Sequence, residues 1–135
     1  MENRKVVVVP CSGIGKSLGT VGRVATYKVI ERMKPEETRT VCLALLTMGD
    51  DDALKLVREN PCIAVDGCPA QCSKKKIEAS MGKLAHNIVV TDVLRKNRSL
   101  KPEGVIELND QGDKLAEIIA GMVSEKVDEI LRKEK

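Results

Sequence analysis

Apolar residues follow two rhythms along this chain. Unbroken, mostly β-branched runs stand at positions 6–9 (VVVV), 62–65 (CIAV) and 88–90 (IVV). Such runs read as strands buried on both faces of a parallel sheet. Elsewhere apolar positions recur every three or four residues, as on amphipathic helices. The pattern predicts a first strand over Lys5–Val9, then a helix over Thr20–Met33 with Val21, Val24, Ala25 and Val29 on one face, ended by Pro35. A second strand is expected over Thr38–Leu43, running on towards Leu46. Asp50–Asp52 opens a second helix, with acids in its first turn where the helix dipole favours them, and Asn60-Pro61 stops it. A third strand over Cys62–Val65 ends in Asp66-Gly67, and a third helix starts near Pro69. Asn87–Val90 reads as a fourth strand, Lys96–Gly104 as a loop and Val105–Leu108 as a fifth strand. The last helix covers about Asp113–Lys133, with Leu115, Ile118, Ile119, Met122, Val123, Val127, Ile130 and Leu131 at helical spacing.

Strand–helix alternation implies the α/β class. The expectation is a single Rossmann-like domain over residues 1–135, with a mostly parallel sheet of four to five strands and helices on both faces. A strand order of 2-1-3-4-5 follows from right-handed crossovers in a doubly wound sheet. No repeat, linker or low-complexity tract interrupts the chain.

Composition narrows the function. There is one tyrosine and no phenylalanine or tryptophan, so no stacking platform for single-stranded nucleic acid exists. The net charge of +3 is too mild for a nucleic-acid footprint, and no nucleic-acid partner is expected. The opening Met-Glu-Asn-Arg-Lys precedes no long apolar segment, so neither a signal peptide nor a membrane span is expected. The expected compartment is the cytoplasm, where thiols stay reduced. Five cysteines in that setting point to metal or thiol chemistry rather than disulfides.

Four of them fall in a pattern. Cys11 follows the first strand, Cys42 lies near the end of the second, and Cys68 and Cys72 follow the third. In a doubly wound sheet these are carboxyl-edge positions, where ligands bind. With strand one between strands two and three, the four thiols converge. Pro69 suits the first helical position, which makes Cys68 the expected N-cap and puts Cys72 on the same helix face. Helix N-termini, Lys16 and Lys74–Lys76 would offset the charge of four thiolates. Four thiolates suit tetrahedral zinc, with an iron–sulfur cluster as the other chemically sensible occupant.

The segments Pro10-Cys11-Ser12-Gly13, Cys42-Leu43-Ala44 and Val65-Asp66-Gly67-Cys68-Pro69-Ala70-Gln71-Cys72 resemble the DGC family, named for its Asp-Gly-Cys motif and known for four cysteines read as metal chelators. The resemblance runs from strand one to Thr91-Asp92. It implies metal-ligand roles for Cys11, Cys42, Cys68 and Cys72 and implies no activity.

Plainer readings exist for each piece. A lone cysteine in an apolar run, such as Cys42, is most often a small core hydrophobe, and that is the better reading of Cys62. Asp66 is a turn residue, or a group that orients a ligand or accepts a proton. Lys74–Lys76 is a solvated face. His86, the sole histidine, precedes strand four and falls at the far edge from the cysteines. Gly15-Lys16-Ser17 matches the end of a Walker A loop, but Pro10 stands at its first glycine and offers no N–H to a phosphate. The loop also differs from that of low-molecular-weight tyrosine phosphatases, having Ser17 where their arginine falls. The loop glycines are therefore read as a sharp turn that delivers Cys11.

The expected function is binding of one metal ion, zinc, by four cysteines, in a carrier, a sensor or a module that partners another protein. The alternatives are a thiol- or metal-dependent enzyme with an open coordination position, and a nucleotide- or phosphate-binding protein using Gly15-Lys16-Ser17.

Overall fold

The computed structural model describes residues 5–133. Its sheet has four parallel strands in the order β2-β1-β3-β4: β1 (Val6–Pro10), β2 (Thr38–Arg39), β3 (Pro61–Asp66) and β4 (Lys83–Val89). The helices are α1 (Ser17–Lys28), α2 (Leu43–Met48), α3 (Asp51–Glu59), α4 (Cys72–Ala79), α5 (Val90–Arg95) and α6 (Asp110–Lys133). The α/β class, the parallel sheet and the order of its first four strands are as the pattern predicts.

Side chains of β1 and β3 alternate between two cores, as strand geometry requires. Val6, Val8, Ile63 and Val65 pack against α1, α5 and α6, while Val7, Val9, Cys62 and Ala64 pack against α2, α3 and α4. Helices therefore cover both faces. On α6, Leu115, Ile119, Val123 and Val127 are fully buried, whereas Ile118 and Met122 are partly exposed, so the buried stripe is narrower than the apolar one. Each buried aliphatic side chain contributes about 1.5–3 kcal/mol. The α3 start is as expected: Asp50 caps it by accepting from the Ala53 N–H at 3.0 Å.

Four expectations fail, each for a local reason. The second strand stops at Arg39, because Thr40 turns its hydroxyl onto the Val8 carbonyl at 2.7 Å and ends the ladder. The apolar residues beyond it form α2, so Cys42 is the residue before a helix rather than part of a strand. Val105–Leu108 is an irregular strap and pairs with no strand. The Thr20 hydroxyl donates to the Val105 carbonyl at 2.5 Å and ties that strap over the start of α1. The third helix begins at Cys72, not near Pro69, so Cys68 is not its cap and the two cysteines do not share a helix face. The fourth strand begins at Lys83, which puts His86 inside β4, beside Ile63 and half-buried, instead of ahead of it. Smaller shifts occur at helix ends. α1 starts three residues earlier and closes in a π-helical turn over Val29–Met33, and α6 starts at Asp110.

Candidate metal centre

The loop after β1 leaves the sheet with the Cys11 N–H bonded to the Val65 carbonyl at 2.9 Å. It turns at Gly13, whose φ is +53°, and Gly13 presses against Gly19 of α1 so closely that a Cβ on Gly19 would lie 2.3 Å from the Gly13 carbonyl oxygen. The glycines thus seat the loop that follows Cys11 against α1, while Cys11 itself is held at the end of β1 by its N–H on Val65. Gly67 has a related role. A Cβ there would meet the Leu18 backbone at 3.2 Å, so glycine lets the end of β3 lie close against α1 without crowding it. From that position the Gly67 N–H donates to the Cys11 Sγ at 3.3 Å.

Asp66 closes the next part of the site. It is almost wholly buried at the end of β3. Its carboxylate accepts from the Ser73 N–H at 2.7 Å, the Lys74 N–H at 3.2 Å and the Asn87 Nδ2 at 3.0 Å. The first two donors belong to the opening turn of α4, so Asp66 caps that helix from the strand, in place of a residue just before it. The residue in the usual cap position, Gln71, sits in the left-handed region at φ +54° and donates through its Nε2 to the Asn87 Oδ1 at 2.7 Å. The turn Gly67–Gln71, with Cys68, and the first residue of α4, Cys72, are therefore held from below by one carboxylate and one amide. Sequence reasoning left Asp66 between a turn and a ligand-orienting role. Its buried carboxylate orients the helix that carries Cys72.

The four cysteines stand on this edge, and Cys11 is the common neighbour. Cys11 and Cys68 line a cavity of about 480 Å³ with Lys16 and Val105. Cys11 and Cys42 line another of about 250 Å³ with Arg23, Tyr27 and Thr40. Burial pushes the Cys11 thiol above its ordinary value; the Gly67 N–H opposes this, and Asp66, Cys72 and Cys68 add to the rise. Cys42, Cys68 and Cys72 are exposed. Among the described residues, no three His, Cys, Asp or Glu side chains stand close enough together to hold a metal ion. The donor chemistry fits zinc, since thiolates are its structural ligands. As the side chains stand, the four thiols are not gathered into one cluster.

Cys62 behaves differently. It is fully buried, with its Sγ near the Val57 and Asn60 carbonyls, and burial pushes its thiol up to about 12. The core reading of this residue stands. His86 is also off the edge, and burial holds its pKa below the ordinary value. Arg23, Tyr27 and Thr40 were missed. Arg23 donates to the Ser12 carbonyl and, at 3.1 Å, to the Thr20 hydroxyl, which fixes it beside the Cys11 loop. Arg23 and Tyr27 are one helical turn apart on α1, a spacing too common to flag either in a sequence.

The parallel sheet thus carries four free thiols along its carboxyl edge. The chain belongs to the DGC domain family, whose sequence profile matches residues 7–119. No curated protein and no solved structure gave a significant match. Among the described residues, no helix is long and apolar enough to cross a membrane.

Proposed function

We propose that this domain binds one metal ion, zinc, through Cys11, Cys42, Cys68 and Cys72, and serves as a carrier, a sensor or a module that docks with another protein in the cytoplasm. The observation that carries the reading is the position of Cys11, which borders Cys68 on one side and Cys42 on the other. Family membership supports it, as does the exposure of Cys42, Cys68 and Cys72. Bound there, zinc would tie the loops after β1, β2 and β3 into one unit. The test is metal content and absorption of protein purified reduced and without oxygen. About one equivalent of a colourless metal is expected for a four-ligand site. A brown protein containing iron and sulfide would replace zinc with a cluster. Metal-free protein whose thiols all react at once would overturn both.

A second reading is favoured by the open cavity between Cys11 and Cys42. Were Cys11, Cys68 and Cys72 to hold the metal without Cys42, a coordination position would stay open for a substrate, as a thiol- or metal-dependent enzyme needs. Cys42→Ser decides between the two. Retained metal supports the open site, and lost metal supports the closed one.

A further inference from the structure

Bordered by Pro69, a hollow of about 530 Å³ lies between α5 and the segment that follows it. Its volume suits a small organic molecule. Leu94 and Leu100 supply apolar wall, and Arg95, Arg98 and Lys101 supply three cations. Arg95 is engaged by Asp92 at 3.1 Å, while Arg98 and Lys101 form no ion pair among the described residues. A separate observation marks the same place. Thr91 lines the hollow, and its Oγ1 is the one buried side-chain polar atom among the described residues with no hydrogen-bond partner. Proteins rarely leave such an atom unused.

We propose that this hollow binds a small organic anion: an apolar body carrying a carboxylate or a phosphate-type group. Leu94 and Leu100 cover the body. Arg98 and Lys101 hold the anionic group, the guanidinium by its fork and the ammonium as a point charge. Thr91, by rotating about its Cα–Cβ bond, offers the ligand its unused hydroxyl. No cysteine takes part, so this site stands or falls separately from the metal reading.

The test compares two dyes of similar apolar body, anilinonaphthalene sulfonate and its uncharged parent phenylnaphthylamine, by fluorescence titration of the full chain. The sulfonate should bind saturably and about tenfold or more tighter than the neutral dye, the usual effect of a charge-assisted hydrogen bond. The double substitution Arg98→Ala/Lys101→Ala should erase that preference. Both side chains are exposed, so the thermal midpoint should not move and the variant should fold. Equal affinity for the two dyes, or a preference that survives the double substitution, overturns the proposal. Displacement of the sulfonate by phenyl phosphate or by benzoate then separates phosphate esters from carboxylates, and displacement by neither also overturns it.

Discussion

Strand β3 has a cysteine near its start and another just past its end, and the two ends are built differently. At the start, Cys62 is packed among Val7, Val57 and Ile77 with no exposed surface. At the end, the chain turns polar at once. Asp66 spends its carboxylate on three N–H donors, Gly67 brings the backbone against α1, and Cys68 is left exposed. One side chain type thus serves as core filler at one end and as an accessible thiol at the other. What differs is whether the neighbouring backbone needs the space or presents the group. A parallel sheet concentrates chemistry at its carboxyl edge because the loops there lead into helix N-termini, whose free N–H groups face that edge.

The sharpest way to break this contrast is to remove the group that organises the polar end. Asp66→Ala leaves the Ser73 and Lys74 N–H groups and the Asn87 amide without their acceptor, in a buried setting. A loss of about 3 kcal/mol in urea unfolding is expected, combining a lost helix cap with unsatisfied buried donors. Metal content should fall with it, because Cys72 rides on the uncapped turn. A loss below about 0.5 kcal/mol, the range of surface substitutions, would mean that the cap is not needed to place α4.

At the apolar end the expected effect is smaller and depends on pH. Burial raises the Cys62 thiol from 9.0 to about 12. Between those pH values the unfolded chain has released this proton and the folded chain has kept it. The folded state therefore binds more protons, and stability falls as pH rises from about 9 towards 12. Cys62→Ser should cost about 1–2 kcal/mol at neutral pH, through lost packing around a buried hydroxyl. It should also flatten the alkaline decline, since serine does not titrate there. Denaturant midpoints measured from pH 8 to pH 11 check both effects, and an unchanged alkaline slope would place the thiol in contact with water.

The smallest effect is expected at Lys16. The loop glycines serve the turn and the close approach to α1, and Pro10 gives no N–H to a phosphate. Lys16→Ala should leave metal content and stability largely intact, with no ATP or GTP affinity to lose. Saturable micromolar nucleotide binding that disappears in this variant would restore the phosphate-loop reading.

Much of the fold could be read from residue pattern alone because β1, β3, α3 and α6 each carry a strong, long-range-independent signal: a β-branched run, an acidic cap, or a helical stripe. What failed depends on partners distant in sequence. The run around Cys42 is as apolar as a strand, and short runs of that kind do not distinguish strand from helix. It was the Thr40 hydroxyl on the Val8 carbonyl that ended the ladder. Pro69 carries a helix-start signal, but the cap that starts α4 comes from Asp66, at the end of the preceding strand. Val105–Leu108 is a short, mostly apolar run that reads as a strand, but its Val105 carbonyl is drawn to the Thr20 hydroxyl instead. At the candidate site, the carboxyl-edge positions of Cys11, Cys42, Cys68 and Cys72 followed from topology. Arg23 and Tyr27 did not, since only the folded loop shows which face of α1 borders Cys11.

The central claim is that the thiols of the carboxyl edge, and not the thiol at the start of β3, hold the metal. The most direct measurement is metal stoichiometry of Cys62→Ser and Cys68→Ser, purified side by side under reducing conditions. The account predicts about one equivalent in Cys62→Ser and little or none in Cys68→Ser, where a poor ligand replaces a thiolate. Loss of the metal from Cys62→Ser, or its full retention in Cys68→Ser, would contradict it.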